Sequence, residues 1–542
     1  MTFSLPLAVF ILLSGAYALY RRLTRISIAD IPGPASDSFL LGNICELFQN
    51  QAGETDFRWQ EEYGNVVRFK GSFGEDRLLI SDPKALQYIY QTSGYNFPKQ
   101  NDRKEISRFI SGRGILWSDG DQHKRHRKVM LPGFGGPETK AFAPLFTAQA
   151  SRLVSKWIDL ISVTSDQSTV VDIPLWASRT ALDAVGAAAF DYKFEALENA
   201  ENPLRKAYEN LFAGLFGSPT KASLFATELL QYIPINLISS LLQYFPSPRL
   251  ERVRQTAQLA TKIAKSLVDS KAEAAMQGKG NRDVMSLLVQ ANASENVKAQ
   301  LNEEEVLAQM RTMILAGHET TANTLTWTLL ELARNPDIQG KLRHEIRSME
   351  KVVHERGEPE FTAADFDRMS YLNAVIKESL RYHPVALFTF REASKEDVLP
   401  LSKPITTLSG EIITELPIPK GQRIMSSICA YNRIKDIFGE DSHTFKPERW
   451  LNGDVKRATS IGVYGNLMTF SSGIRSCIGW RFAILELQAF LAELVNNFEF
   501  SLTLKATRLR REACLVMIPT VEGEVEKGSQ LPLMVRVASR EE

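Results

Sequence analysis

The chain has 542 residues and carries 64 basic and 63 acidic side chains, for a net charge of +1. This balance gives no reason to expect a nucleic acid or another polyanion as a partner. The four cysteines are widely spaced and form no C-x-x-C pair, which argues against a zinc site or a disulfide framework and fits a reducing compartment. We expect one large domain, because the chain has no internal repeat or low-complexity tract and no long linker divides it after residue 60.

The chain opens with an uncharged apolar run, Thr2 to Tyr20, which three arginines follow closely. As a helix it would span about 28 Å, close to the ~30 Å hydrocarbon core of a bilayer. A cleaved signal peptide is the alternative, with Ala16-Tyr17-Ala18 as its cleavage site, but such peptides carry their basic residues before the apolar run. We therefore predict a retained transmembrane helix over 1–22 and a basic, proline-rich hinge over 23–35.

Two β-rich runs, Val66 to Phe69 and Arg77 to Ile80, predict a hairpin, and Asp82-Pro83 predicts the start of a helix. The basic segment 120–128 carries His123 and Arg127 four residues apart. On charge alone, this segment is a helix with a solvated face.

A long helix is predicted from residue 303, with Asn302 as its cap and three glutamates in its first turn. Its middle contains Ala316-Gly317-His318-Glu319-Thr320-Thr321. Glycine and two threonines are poor choices for a plain helix interior. Hydroxyl groups that compete for backbone carbonyls can open the helix locally and leave room for a ligand or water.

A second helix is predicted from Ser370 to His383, with Glu378 and Arg381 on one face. Such pairs are common on surfaces and are weak evidence alone. Further on, Pro447-Glu448-Arg449-Trp450 supplies another arginine, and an apolar strand is predicted from Val385 to Arg391.

Near the C-terminus, residues 470–479 read F-x-x-G-x-R-x-C-x-G around Cys477, and an apolar helical run follows. A thiol at a helix N-terminus is favoured as thiolate, which is a strong axial ligand for haem iron. A lone cysteine is more often a small buried apolar residue. The complete ten-residue pattern, however, resembles the haem-binding loop of the cytochrome P-450 family, and the motifs of the preceding paragraphs resemble other family motifs in the same order.

The resemblance implies a mainly α fold with small β-sheets (α+β), preceded by the transmembrane helix, with a haem-thiolate catalytic domain over 36–542. It implies haem b, with Cys477 as the axial iron ligand. The other residues that it places at the cofactor are Arg127, His123, Arg391, Arg475, Phe470, Gly473 and Ala316. Here His123 replaces the tryptophan of the family pattern.

The resemblance also gives roles to the two helices. Thr320 and Glu319 would be catalytic and carry protons toward the site where oxygen reacts, while Glu378, Arg381 and Arg449 would form a buried structural triad. The substrate would contact Ala316, Leu387, Phe388 and Leu515. Five apolar residues form either a membrane-dipping substrate entrance or ordinary core: Phe212, Leu215, Phe216, Phe225 and Ile233.

We therefore predict a monooxygenase of the endoplasmic reticulum membrane, single-pass and facing the cytosol, that inserts one atom of O2 into a lipophilic small molecule. The chain has no flavin or nicotinamide fingerprint, so electrons would come from NADPH through cytochrome P-450 reductase, with cytochrome b5 as a second donor. Long fungal members resemble the chain in their basic segment and hinge, which indicates secondary metabolism such as terpenoid biosynthesis. The alternatives are a haem-thiolate isomerase or dehydratase that needs no reductase, and a non-catalytic haem sensor.

Overall fold

A computed structural model describes residues 26–199, 201–276, 283–292, 300–456 and 459–540. The predicted transmembrane helix over 1–22 lies outside these residues. Among the helices that are described, none combines the length and apolar character needed to cross a bilayer.

The described part of the chain is mainly helical, as predicted. Its α-helices are α1 Ile44–Gln49, α2 Glu54–Tyr63, α3 Pro83–Gln87, α4 Asn101–Ser111, α5 Gly120–Met130, α6 Gly136–Lys140, α7 Ala143–Ser162, α8 Ile173–Phe190, α9 Pro203–Tyr208, α10 Leu211–Phe216, α11 Lys221–Leu229, α12 Ile235–Tyr244, α13 Pro248–Met276, α14 Val284–Asn292, α15 Glu303–Arg334, α16 Pro336–Glu355, α17 Ala363–Arg368, α18 Ser370–Tyr382, α19 Ile428–Tyr431, α20 Lys435–Phe438 and α21 Trp480–Asn497.

The strands are short and belong to four small sheets. They are β1 Val66–Lys70, β2 Asp76–Ile80, β3 Ser168–Asp172, β4 Phe388–Glu392, β5 Asp397–Thr406, β6 Ile412–Ile418, β7 Arg423–Ser427, β8 Phe498–Leu502, β9 Leu509–Ala513, β10 Met517–Val521 and β11 Pro532–Val537. The sheet orders are β1-β2-β7-β4, β3-β11-β8, β5-β6 and β10-β9.

The predicted hairpin is confirmed, since β1 and β2 pair antiparallel with Val66 opposite Ile80. β2 continues the sheet by pairing in parallel with β7, where Leu78 lies opposite Ile424. β4 completes the sheet antiparallel to β7 and places Arg391 opposite Ile424. The sheet therefore joins an early hairpin to two strands that come more than three hundred residues later.

α15 is the central helix. Asn302 and Glu305 form a capping box at its N-terminus, where the Asn302 side chain accepts from the Glu305 N–H and the Glu305 side chain accepts from the Asn302 N–H. Gly317 lets α8 approach closely, because a Cβ at this position would lie 2.7 Å from Val185 Cγ2. Most of α15 from Glu305 onward is buried, and Ala316 in its middle is an exception.

Part of the hinge predicted over 23–35 packs on the globular body. Ile28 and Ile31 are buried in the main core. The Arg68 N–H of β1 donates to Pro32 O at 3.0 Å, and Arg68 Nε donates to Ile31 O at 2.9 Å. These contacts fix the path along which the chain enters the fold.

Candidate functional site

The cysteine loop folds back on itself immediately before α21. The Cys477 N–H donates to Phe470 O at 2.8 Å, and the Cys477 side chain is exposed. Gly473 has φ +60°, and a Cβ there would lie 2.0 Å from Tyr90 O. Glycine is therefore required at this position both for its conformation and for the close approach of the Tyr90 backbone.

The electrostatic environment of the Cys477 thiol differs from the expectation for an isolated helix N-terminus. The Cys477 side chain has accessible surface, yet the thiol is surrounded by protein. The resulting desolvation raises the pKa of the thiol above its ordinary value, and the Gly479 N–H and the Arg127 guanidinium only partly offset this effect. A bound metal cation would reverse the balance, since a coordinating thiol is deprotonated outright.

Arg127 and Arg475 flank the cysteine on both sides of the loop. Arg127 Nη1 donates to Ser476 O at 2.7 Å, so α5 holds the residue directly before the cysteine. Arg475 pairs with Asp119, and its guanidinium lies over the Tyr95 ring at 5.0 Å. Arg475 Nε and Nη1 are buried and have no hydrogen-bond partner among the described residues.

Arg391 and Lys99 complete a cationic group around Arg475. Arg391 is buried, donates to Phe390 O at 2.8 Å and lies 5.2 Å from the centre of the Tyr90 ring. Burial, together with Arg391 and Arg475, lowers the pKa of Lys99 to about 7, although Asp119 acts in the opposite direction. Lys99 Nζ donates to three backbone carbonyls, those of Ile115, Leu116 and Ser118.

His123 lies in the same group and is neutral. Burial, with help from Lys99, Arg475 and Arg127, lowers the pKa of His123 to about 3. Its Nδ1 lies 2.9 Å from the Tyr95 hydroxyl.

These residues fit haem. Four basic side chains, Lys99, Arg127, Arg391 and Arg475, lie near the cysteine loop, where Arg475 pairs with the carboxylate of Asp119. Burial, and then repulsion among basic groups, lowers the pKa values of Lys99, His123 and Arg475. Such an excess of positive charge is costly unless an anion joins it. The unpartnered donors of Arg475 are suited to a planar carboxylate such as a haem propionate.

Sequence reasoning had missed Lys99, Asp119 and Tyr95. No signal in the sequence marks them. Tyr95 lies in a 3-10 helix of three residues and Lys99 in the loop after it, and both acquire their neighbours only through tertiary contacts.

The middle of α15 opens to a cleft. Ala316 is exposed and Gly317, Glu319 and Thr320 are partly exposed, although the helix is buried on both sides of them. Thr320 Oγ1 donates to Ala316 O at 2.7 Å. The hydroxyl thus competes for a helix carbonyl, as the sequence predicts.

Glu319 points into a polar cavity of about 290 Å³ between α8, α9 and α15. Ser178 Oγ donates to Glu319 Oε1 at 3.1 Å, and His318 Nε2 lies 3.2 Å from the same oxygen. Arg179, Glu209 and Asn323 also line the cavity. The carboxylate therefore has a polar path toward solvent on one side and Thr320 next to it along the helix.

The predicted triad residues lie together and are almost completely buried. Arg381 donates to both Glu378 oxygens at 2.9 and 2.7 Å, and Arg449 Nε donates to Glu378 Oε1 at 3.1 Å. Trp450 Nε1 donates to Glu378 Oε2 at 2.9 Å. The buried negative charge of Glu378 is therefore paired with the positive charges of Arg381 and Arg449 through hydrogen bonds.

The predicted substrate residues occupy three separate segments. Leu387 is buried, and Phe388 begins β4 with a partly exposed ring. Leu515 is exposed in the turn between β9 and β10. Phe470, predicted at the cofactor, is partly exposed and lies edge-on to the Tyr464 ring.

Comparison with known proteins identifies relatives over nearly the whole chain. The family model described as Cytochrome P450 matches residues 32–526. Cytochrome P450 monooxygenase 205 of Postia placenta is 30% identical over 538 residues, which cover 96% of this chain and 95% of the relative. Cytochrome P450 monooxygenase 91 of the same fungus is 34% identical over 514 residues, with 92% of this chain and 93% of the relative covered. Cytochrome P450 monooxygenase claO of Ampulloclitocybe clavipes is 30% identical over 516 residues, with 93% and 92% covered.

Proposed function

The chain belongs to the cytochrome P450 family, whose members are oxidoreductases that carry haem b on a cysteine thiolate, and we propose from this membership that Cys477 supplies the thiolate. The observation that carries the proposal is the excess of cations beside the cysteine loop. Arg475 has two buried donors without a partner in the described chain, at the place where a dianionic cofactor would neutralise its neighbours.

Haem supplies the oxygen-activating chemistry when it is bound. Arg127, Arg391 and Arg475 would hold its propionates, and Lys99 would join them. Tyr95 would donate to His123 Nδ1, which lies 2.9 Å from its hydroxyl, and the Nε2 hydrogen of the neutral ring would then be a further donor. Phe470, Gly473 and Ala316 would line the faces of the cofactor, and Glu378, Arg381 and Arg449 would support the fold behind the loop.

The chain's contribution to oxygen chemistry is proton delivery. Thr320 would hold a water molecule by its hydroxyl at the opening in α15. Glu319, which Ser178 Oγ contacts at 3.1 Å, would pass protons from the polar cavity to that water. A positioned acid and hydroxyl of this kind favour monooxygenation over the rearrangement of an already oxidised substrate.

We propose as substrate a lipophilic small molecule of secondary metabolism, such as a terpenoid. Ala316, Leu387, Phe388 and Leu515 would contact it. The relatives whose names specify a cytochrome P450 monooxygenase come from the fungi Postia placenta and Ampulloclitocybe clavipes, which supports a fungal type of enzyme.

We further propose that residues 1–22 anchor the protein in the endoplasmic reticulum membrane, that 23–35 form a hinge, and that the catalytic domain over 36–542 faces the cytosol. Exposed apolar side chains support contact with lipid. Phe73 contacts the rings of Phe39 and Tyr232, and α12 exposes Ile235, Leu237 and Tyr244. Cytochrome P450 reductase, and cytochrome b5 as a second donor, would supply electrons from NADPH.

The test is expression of the full chain with and without the reductase. The reduced carbon monoxide complex should show the thiolate absorption band, and Cys477→Ser should lose it. Metabolite comparison of cells with and without the chain should give an oxygenated product that depends on NADPH and reductase and carries one atom from 18O2. A product without NADPH dependence would indicate an isomerase or dehydratase, and the thiolate band without turnover across a broad panel would indicate a sensor.

A further inference from the structure

Three arginine side chains from distant parts of the chain meet at one small cavity. Arg77 lies in β2, Arg103 in α4 and Arg423 in β7. With the rings of Phe48 and Phe390, they are among the residues that line a cavity of about 10 Å³, which has room for one water-sized group. Such a cavity suits a small anionic group, provided that the three cations are not already neutralised.

Two of the three arginines have close carboxylate partners. Arg77 donates a hydrogen bond to Glu228, which belongs to α11. Arg423 Nη2 donates to Asp102 Oδ1 at 3.0 Å. All four side chains are buried, so each of these two carboxylates is already paired with an arginine.

Arg103 has no such partner. Its Nε lies 3.5 Å from Asp102 Oδ2 and its Nη2 lies 4.0 Å from Glu228 Oε1, whereas a charge-assisted hydrogen bond is about 2.7–2.9 Å long. Arg103 Nε is buried and has no hydrogen-bond partner among the described residues. Burial lowers the pKa of Arg103, and the two carboxylates only partly offset this effect.

The charge balance of this group leaves one cation in excess. Glu75 also pairs with Arg77, but its side chain is 31% exposed, so solvent screens this pair. Glu392 lies opposite Arg423 in the β4–β7 pairing, and burial raises the pKa of its carboxyl group, which favours the neutral form. The group therefore contains three guanidinium groups for two buried carboxylates, and Arg103 is the one without a close partner.

A row of aromatic rings connects Arg103 to the proposed substrate position. The Arg103 guanidinium lies 4.4 Å from the centre of the Phe390 ring. Phe388 and Phe390 share one face of β4 because they are two residues apart, and their ring centres are 6.4 Å apart. Phe48 of α1 adds a third ring, 6.1 Å from Phe388. All three rings are partly exposed, so a molecule lying along them would have an apolar body and meet a cation at its end.

We propose that Arg103 binds a carboxylate at one end of the substrate, and that the substrate is therefore an acid with an apolar body. This inference rests on the proposed oxygenase function and narrows its substrate class. The planar guanidinium offers paired N–H donors that match the two oxygens of a carboxylate, and the Phe390 ring supports its cationic face. The carboxylate takes no part in the oxidation. Its binding determines which end of the molecule points away from the site where oxygen reacts.

The test compares dodecanoic, farnesoic and abietic acids with their methyl esters. Each compound is titrated into the purified, haem-loaded full chain at neutral pH, where the acids are ionised, and its Kd is measured by calorimetry. At least one acid should bind about 10- to 100-fold more tightly than its ester, as expected for hydrogen bonds to a charged group. Arg103→Gln should abolish this preference by weakening the acid, while the Kd of the ester stays within about twofold of the wild-type value.

Two further variants serve as controls. Arg113 also lies over an aromatic ring, at 5.7 Å from the centre of the Trp117 ring, but it is exposed, so Arg113→Gln should keep the full preference for the acid. Arg103→Lys keeps the charge without the planar donors and should show an intermediate preference. Equal binding of every acid and its ester by wild type would overturn the proposal. So would a preserved preference in Arg103→Gln, or an equal weakening of acid and ester, which would indicate altered packing only.

The outcome for Arg103 can be separated from the outcome for the proposed function. Calorimetry of the purified chain reports recognition of the acid whether or not Cys477 is an iron ligand. Loss of the thiolate band would therefore refute the proposed function and leave the comparison of acid with ester valid. A normal thiolate band without any preference for an acid would refute the role of Arg103 alone.

Discussion

The Tyr90 carbonyl oxygen lies 2.0 Å from the position that a Cβ of Gly473 would occupy. This contact joins the cysteine loop to the segment after α3, hundreds of residues earlier. No side chain fits between the two backbones, and Gly473 also has φ +60°. The shape of the loop around Cys477 therefore depends on a glycine that carries no chemistry itself.

Gly473→Ala should prevent assembly of the loop around Cys477 in which we propose that haem binds. The added methyl group would clash with the Tyr90 carbonyl, and alanine is strained at a positive φ. The absorbance of the thiolate band in the carbon monoxide complex, divided by the protein concentration, should therefore be lost or fall at least about tenfold. Gly340→Ala in α16 is the control, because no atom lies within 4 Å of its added Cβ, and it should keep the full band. A normal band in Gly473→Ala would show that the loop can relax.

Glu378→Ala should strongly destabilise the protein. It leaves Arg381 and Arg449 buried without their carboxylate, which costs about 3–5 kcal/mol for a broken buried pair. We expect little or no haem-loaded protein, measured by haem absorbance per protein and by thermal unfolding. Asp367→Ala removes an exposed partner of Lys140 and should leave both measurements unchanged. Normal haem loading in Glu378→Ala would contradict the role of the triad.

Thr320→Ala should uncouple NADPH consumption from product formation. Without the hydroxyl, the water at the opening in α15 is not positioned, and we expect most of the NADPH consumed to appear as hydrogen peroxide. Thr320→Ser should restore coupling. Thr328→Ala removes a hydroxyl that also donates to a helix carbonyl, at 2.7 Å, and should couple normally. Unchanged coupling in Thr320→Ala would remove this residue from the proposed proton path.

Arg475→Gln should weaken haem retention. The variant loses a buried guanidinium with two free donors, and charged hydrogen bonds of this kind contribute about 1.5–3 kcal/mol. Haem transfer to apomyoglobin should therefore be about 10- to 100-fold faster than in wild type. Arg481→Gln, at an exposed position four residues after the cysteine, should retain haem normally. Equal transfer rates in the two variants would argue against Arg475 as a propionate partner.

Protein stability should fall in mildly acidic solution because of His383. Burial lowers the pKa of His383 to about 4, although Glu331 acts against this change, whereas an unfolded histidine titrates near 6.5. Between these values the unfolded chain binds a proton that the folded chain does not. The free energy of unfolding should therefore decrease as pH falls through this window, by up to about 1.4 kcal/mol per pH unit.

Urea unfolding of wild type and His383→Gln, followed by circular dichroism at several values between pH 4.5 and 7, would measure this effect. The pH dependence of the variant should be smaller over that range. His344→Gln at an exposed site should resemble wild type. Identical slopes in wild type and His383→Gln would assign the acid sensitivity to other groups.

The features that could be predicted from sequence are those that local chemistry determines. Asn302 and Glu305 are a capping pair three residues apart, and the β1–β2 hairpin consists of two β-rich runs on either side of a glycine-containing turn. The loop around Cys477 is recognisable because its glycines, arginine and cysteine are close together in the chain.

The features that could not be predicted depend on tertiary contacts. β4 begins at Phe388 rather than Val385, because its extent is set by pairing with β7. Lys99 and Asp119 come to lie beside Arg391 and Arg475 through packing of distant segments. Desolvation by the surrounding protein likewise outweighs the helix N-terminus at the Cys477 thiol and raises its pKa, and no sequence pattern reports this desolvation.

The parallel pairing of β2 with β7 also has a consequence for biosynthesis. The ribosome makes β2 long before it makes β7, Arg423–Ser427. At a translation rate of about 5–20 residues per second, tens of seconds pass between the synthesis of the two strands. During that time Leu78 to Ile80 present an unpaired, apolar strand edge. We expect the nascent chain to depend on a chaperone until Arg423–Ser427 has been made.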